Sequence, residues 1–380
     1  HLGKDSESIN KQNGSVQMGM DQREKTIEAK TNAVLARVGV GEQDRSNPFR
    51  GMTLSALARH SMEAAGINVT GQTAEEFAAK ALSPVIAAQT TSDFPVILEN
   101  AMHKLVLMGF QAHSPTWQMI CKIGDVTDFR EWKRLVPGLI GNLDGVDQDG
   151  AYRNKSMPDA EANSISASRK GNIINITPEV LVNDDIGYIQ SLANGLGMAG
   201  SRTIERAVYT LLESNPVMSD GVALFHADHG NLAGTGAAFS IATIDVGRVA
   251  MSKQTAPGDD AEYLDIRPVK GLVNSGKESA FKSVLGQEYD DEATKNQRKP
   301  NPIQNLVEPV STPRIAAAPW YLFADPAIAP VLEVVFLNGQ REPRIVQEEN
   351  FRTSGMSWKV ELPFGVGAID HRGGYKNAGA

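Results

Sequence analysis

The chain has 380 residues, with 41% hydrophobic and 22% charged residues and a net charge of −8. That is enough apolar material for a packed core in two or three domain-sized units. The acidic balance excludes a broadly basic nucleic-acid binder, because phosphate affinity needs clustered Lys and Arg. One cysteine, Cys121, excludes an intrachain disulfide and reads as a small buried hydrophobe beside Met119 and Ile120. No run reaches the length of a membrane span, and the first fifty residues lack the apolar segment of a signal peptide.

Residues 1–50 are polar and mixed in charge. Such a stretch buries too little to offset its ordering entropy, so it is expected to need a neighbouring subunit to hold it. A helix is predicted over 52–65, capped by Thr53 and ended by Gly66. A second is predicted over 74–82, before Pro84. A third opens at Asp93, with Pro95 in its first turn and Val96, Leu98, Met102, Leu105 and Met108 along it.

From 123 to 170 the pattern changes. Turn pairs recur (Pro137-Gly138, Gly141-Asn142, Asp144-Gly145, Asp149-Gly150, Pro158-Asp159), and large apolar residues are few. Seven basic residues, Arg130, Lys133, Arg134, Arg153, Lys155, Arg169 and Lys170, mingle with eight acids. A structureless loop of that length is unusual in a compact domain. A two-stranded arm fits better, and an isolated hairpin is marginal in water unless something covers it. The mixed charges point to protein–protein pairing and make those seven residues candidates for contact between subunits.

The β-branched run Ile173, Ile174 and Ile176 reads as a strand, followed by a short helix after Thr177-Pro178. Asn183-Asp184-Asp185 is a strong N-cap signal for the longest helical pattern of the chain, Ile186–Ser214. At 1.5 Å per residue it spans roughly 40 Å. Its central glycines, Gly195, Gly197 and Gly200, lower helix propensity but permit close packing.

Residues 239–344 read as mixed α/β, with strands at 271–273, 320–323 and 331–337 and a mobile loop over 286–302. Residues 351–375 read as two strands. Trp358, Val360 and Leu362 alternate, and Gly365 and Gly367 interrupt the run as a bulge or a close backbone approach.

Little in the chain looks like chemistry. Phe225-His226-Ala227-Asp228-His229 resembles a metal loop, but its spacing matches no zinc signature. A metal-dependent enzyme using residues 226–229 is therefore the weakest reading, and a polar loop with histidines bonded to backbone is preferred. The glycines at 230, 234 and 236 lack the lysine of a phosphate loop, and no nucleophile elbow is present. The acidic groups at 259–262 and 290–292 read as solvated loops. No catalytic, cofactor-binding or metal-ligating residue is assigned.

Five blocks, in order, resemble one family: residues 91–100 (TSDFPVILEN), 170–185 (KGNIINITPEVLVNDD), 218–231 (MSDGVALFHADHGN), 320–326 (WYLFADP) and 364–372 (FGVGAIDHR). They are similar to the major capsid proteins of Mu-like and lambdoid tailed phages, including those made with or fused to a ClpP-like prohead protease. The resemblance implies an α+β HK97-like capsid fold. It would comprise an N-terminal arm (1–92), an extended E-loop hairpin (123–170), a P-domain (93–122, 171–238 and 345–380) carrying the long spine helix 186–214, and an A-domain (239–344). It further implies a virion subunit assembled in the bacterial cytoplasm into hexamers and pentamers. The shell would enclose double-stranded DNA without sequence-specific contacts. Its partners would be further copies of itself, a decoration protein, a portal and the prohead protease, with no cofactor and no membrane. The start at His1 resembles a protease-trimmed end. The competing reading of the same fold is an encapsulin-like compartment.

Overall fold

A computed structural model describes residues 22–41, 44–82, 93–136, 161–257, 259–290, 299–350 and 355–380. Residues 137–160, with Arg153 and Lys155, lie outside them. The helices are α1 (22–37), α2 (Leu54–Ala64), α3 (Ala74–Leu82), α4 (Phe94–Ala112), α5 (Pro178–Val182), α6 (Ile186–Ser214), α7 (Ile241–Ser252) and α8 (Glu278–Gly286). The strands are β1 (Cys121–Val126), β2 (Trp132–Val136), β3 (Glu161–Ile165), β4 (Ser168–Ile176), β5 (Thr255–Ala256), β6 (Asp259–Tyr263), β7 (Lys270–Asn274), β8 (Tyr289–Asp290), β9 (Lys299–Pro300), β10 (Glu308–Thr312), β11 (Trp320–Phe323), β12 (Leu332–Leu337), β13 (Arg344–Asn350), β14 (Gly355–Ala368) and β15 (Gly374–Asn377). The expected α+β class is what the chain adopts.

The chain divides into two compact units, and three of the divisions fall inside elements, β4, α6 and β14. The first comprises His1–His113, Lys170–Ser201 and Glu342–Leu362. Its core joins Leu54, Leu57 and Met62 of α2, Ile97, Leu98, Leu105 and Val106 of α4, Ile189 and Ala193 of α6, and Ile345 and Trp358 of the β13–β14 pair. Trp358 and Val360 are buried while Ser357, Lys359 and Glu361 are not, the alternation expected of a one-faced strand. Thr53 caps α2 by accepting the Ala56 N–H at 3.1 Å.

The α4–α6 contact in this unit runs backbone against backbone. A Cβ on Gly197 would lie 2.1 Å from the Val106 carbonyl oxygen, and one on Gly109 would lie 2.3 Å from that of Asn194. The glycines thus set how near the two axes come, which fits the close packing read from the glycine run.

The polar N-terminal stretch departs from expectation. Residues 22–37 are helical, and Ala33, Val34 and Leu35 are buried against this chain's own core. The apolar residues are few, but Ile27, Val34, Leu35 and Val38 recur at helical spacing and reach the α2–α4 core.

Asp184 ties this segment down. It sits at positive φ (51°) between α5 and α6. Its carboxylate accepts from Arg37 at 3.0 and 2.5 Å and from the Leu54 N–H at 2.7 Å. The N-cap of α6 is therefore its neighbour, Asp185, which accepts the Tyr188 N–H at 3.0 Å. Burial works against the Asp184 charge, but Arg37 and the Leu54 N–H hold its carboxyl below the ordinary range.

The second unit comprises Ser114–Arg169, Arg202–Arg341 and Pro363–Ala380. One sheet has the order β10-β7-β11-β15, with β10 and β7 parallel and the remaining pairs antiparallel. Its core gathers Ile244 and Met251 of α7, Phe281 and Leu285 of α8, and Trp320, Leu322 and Tyr375 of the strands. The other pairs β1 parallel to β12, and β12 antiparallel to the end of β14. β14 runs unbroken through Gly365 and Gly367, which corrects the expected interruption. The close approach is real: a Cβ on Gly365 would meet the Ser166 carbonyl oxygen at 2.1 Å. Cys121 is buried, which pushes its thiol pKa up, so the inert reading holds.

Two loop expectations also change. Residues 259–263 form β6, and the 286–302 segment contains the β8–β9 pair, Tyr289↔Pro300 and Asp290↔Lys299. Residues 291–298 lie outside the described residues. Residues 241–244 open α7 behind a capping box at Ser240 and Thr243.

Two predictions follow from the first unit. Gly197→Leu will lower stability by about 3 kcal/mol or prevent folding, whereas Gly195→Ala, with nothing near its Cβ, will raise it by up to about 1 kcal/mol; urea unfolding followed by circular dichroism checks both. Asp184→Ala will cost about 2 kcal/mol at pH 7. Because the folded carboxyl titrates low, this contribution is in place above the ordinary carboxylate range and is lost as pH falls through the lowered value. The wild-type and mutant unfolding curves will therefore converge in acid.

Candidate functional site

The base of the hairpin is the most heavily built polar region among the described residues. β2 and β3 pair antiparallel from Trp132↔Ile165 to Val136↔Glu161. Each leg is anchored within its unit by an ion pair with one buried partner, Glu333 or Arg372. On β2, Arg134 Nε donates to Glu333 Oε2 of β12 at 2.7 Å, and Glu333 is 2% exposed. On β3, the Glu161 carboxylate takes both Arg372 terminal nitrogens at 2.9 Å. Arg372 also donates to Asp370 at 3.0 Å and to the Thr255 carbonyl at 2.6 Å. Arg372 holds the Glu161 carboxyl below its ordinary range against a burial cost. Asn163, buried on β3, donates to the Ile369 carbonyl at 2.6 Å and accepts the Ser219 N–H at 2.9 Å. Around these, Val126, Ile165, Ala167 and Val335 form a small apolar cluster that Trp132 covers.

The seven basic candidates divide. Arg130 and Lys133 are exposed, and so are Arg169 and Lys170. Arg169 lies over the Phe129 ring at 5.4 Å. Arg134 is spent within the chain on Glu333. The structural surroundings of Arg153 and Lys155 fall outside the described residues.

The histidine loop is not assembled as its sequence order implies. His226 and Asp228 are solvent-facing, and His226 Nδ1 accepts the Asp228 N–H at 3.2 Å. His229 turns inward. Its Nε2 lies 2.7 Å from Asp220 Oδ2 and its Nδ1 lies 3.2 Å from the Leu224 carbonyl. Its ring stacks on His371 at 3.8 Å with 6° between planes. Asp220, His229 and His371 thus lie close enough to share an ion, as do Glu161, Asp370 and His371. The stacking argues against it. Lone pairs of parallel rings lie in separate planes, so one metal at bonding distance cannot lie in both. In the second group, Arg372 already occupies the two carboxylates. Asp220, Glu161, Asp370, His371 and Arg372 were not singled out from sequence, because they come from segments up to two hundred residues apart. Two blocks of resemblance contain four of them, 218–231 holding Asp220 and 364–372 holding Asp370, His371 and Arg372.

The family model described as "Phage capsid protein" matches residues 161–377, more than half of the chain. The chain belongs to that family. This capsid protein is accordingly a structural subunit of a phage head. No curated protein sequence matches it. Solved structures give distant likenesses. The capsid of the cyanophage P-SCSP1u has 8% identity over 70% of this chain and 88% of that chain, with a TM-score of 0.48. The capsid of an empty GTA particle has 12% identity over 70% and 91%, also with a TM-score of 0.48. The virus-like particle from Pyrococcus furiosus has 13% identity over 73% and 98%, with a TM-score of 0.43. The family assignment of the capsid protein rests on the sequence match and not on these superpositions. Among its described residues no helix is long and apolar enough to cross a membrane.

Removing one partner of the β2 anchor leaves a buried charge. Arg134→Met will cost about 3 kcal/mol, and Arg134→Met with Glu333→Leu will recover most of it. A double-mutant cycle by denaturant unfolding measures the coupling.

Proposed function

We propose that the 123–170 hairpin is the arm by which one head subunit engages the next, so that copies close into hexamers and pentamers. One observation carries this reading. The hairpin is fixed at its base by two half-buried ion pairs, yet along its legs it presents Lys133, Leu135 and Ser164 to solvent, with Leu135 64% exposed. A two-stranded ribbon that exposes a large apolar side chain gains stability when a second surface covers it. Arg130, Lys133, Arg169 and Lys170 would pair with acids of the neighbouring copy, together with Arg153 and Lys155. Arg134 instead sets the stance of the arm.

In the same reading α6 is the spine helix, 239–344 the A-domain about the capsomer axis, and 93–122, 171–238 and 345–380 the P-domain. The subunit is of the Mu-like type made with a prohead protease, and it assembles in the host cytoplasm. The shell encloses double-stranded DNA without reading its sequence, which the net charge of −8 supports by limiting adhesion to phosphate. A portal and a decoration protein complete the partners.

Electron microscopy of the purified chain tests assembly: closed shells or capsomer rings are expected, and a monomer under every condition would defeat the proposal. Val136 pairs with Glu161, so residues 137–160 can be replaced by a two-residue Asn-Gly turn. That variant is expected to unfold like wild type but to form no stable shells. Normal shells from it would refute the arm.

A further inference from the structure

The stacked histidines adjoin the anchor of the returning leg. His371 precedes Arg372, the residue that grips Glu161 at 2.9 Å through two nitrogens. The ring is 8% exposed and lies flat on His229. The charged and titratable groups around it are His229 and Asp220 from the 218–231 loop, Asp370 and Arg372 from its own turn, and Glu161 from β3. Its turn is also held by its backbone: the Asn231 side chain donates to the His371 carbonyl at 3.1 Å, and the Ala324 N–H donates to the Gly373 carbonyl at 2.8 Å.

We propose that the 369–373 turn is an acid-operated latch on the hairpin: a proton taken from solvent by His371 expels the ring from its stack, moves the turn, and frees Glu161 from Arg372. The physical reason is hydration. A charged imidazole needs water, and this ring is stacked on His229 and almost wholly buried. It reaches water only if the turn moves, and Arg372 moves with it. Glu161 and Asp370 attract the added charge, but Arg372 and burial oppose it more strongly. Burial first, then Arg372 and His229, lower the His371 pKa to about 4. The folded ring therefore resists protonation that an open turn accepts near the ordinary histidine value. Opening is accordingly favoured as pH falls from the ordinary value toward the lowered one. Glu161 is not the sensor, since Arg372 holds its carboxyl low. The consequence for shell building, an arm whose stance loosens in acid, rests on the arm reading above. The latch itself belongs to the single chain.

Hydrogen exchange of the full-length protein, corrected for intrinsic rates, tests it at pH 7 and pH 5. Protection of the 161–165 peptide is expected to fall at least tenfold in wild type, with 332–337 changing less than threefold. His371→Gln, which takes no proton, should keep its protection at both values. Arg372→Gln should show low protection of 161–165 at both. An unchanged wild type, or an equal fall in His371→Gln, overturns the latch. In wild type alone, exchange at the His371 ring carbon reports its titration. A midpoint displaced from that of the loss of protection also overturns it, should the variants fail to fold. None of these readouts requires assembly, so failure of the arm reading would be seen separately, as shells that form without residues 137–160.

Discussion

The contact that the first unit depends on is the backbone meeting of α4 and α6 at Gly109 and Gly197. Both helices feed the same core, α4 through Ile97, Leu98, Met102 and Leu105, and α6 through Ile189 and Ala193. The glycines cost helix propensity. What offsets that cost is proximity, because at a separation where no Cβ fits, the flanking aliphatic side chains close over the contact without voids. α6 then continues past Ser201 and gives Glu205 and Tyr209 to the second unit. There Thr116 donates to Glu205 at 2.8 Å and lies 2.5 Å from the Tyr209 hydroxyl, while Arg314 faces the other Glu205 oxygen at 3.1 Å.

The second unit spends its buried charges differently. Arg134–Glu333 and Arg372–Glu161 each tie one leg of a hairpin to a strand or turn more than a hundred residues away. Buried ion pairs add little net stability compared with well-packed apolar groups, but they penalise misplacement heavily. Under the proposed arm reading, that property suits a base where orientation matters more than free energy, because directional bonds would repeat its angle from copy to copy.

The histidine turn carries the sharpest contrast between sequence and structure. His226, Asp228 and His229 looked like a ligand set because they are adjacent in the chain. In the fold only His229 points inward, and its partners are Asp220 and His371. The turn closed by the Gly230 N–H on the Ala227 carbonyl at 2.9 Å begins just after His226 and contains His229, and Asn231 accepts the His226 N–H and donates to the Leu224 carbonyl. Burial then converts His371 from an ordinary titrating group into one that resists charge.

Much of the architecture was written locally. Thr53, Pro95, Thr177-Pro178 and the period of Ile186, Ile189, Ile204 and Val208 define α2, α4, α5 and α6, because capping and amphipathic spacing act over a few residues. The alternation of Trp358, Val360 and Leu362 defines the buried face of β14 for the same reason. The turn-rich composition of 123–170 marked a hairpin, and the order of five sequence blocks marked the family. What tertiary structure alone decided is which distant residues meet. Asp184 looked like a helix cap and became a tether for Arg37 and Leu54, and α1, too poor in apolar residues to stand alone, is ordered by the core it completes. Arg134, one of seven charged candidates along the chain, is half-buried and paired with the buried Glu333. No local pattern encodes these pairings, because charge and burial at a position depend on what the folded chain brings beside it.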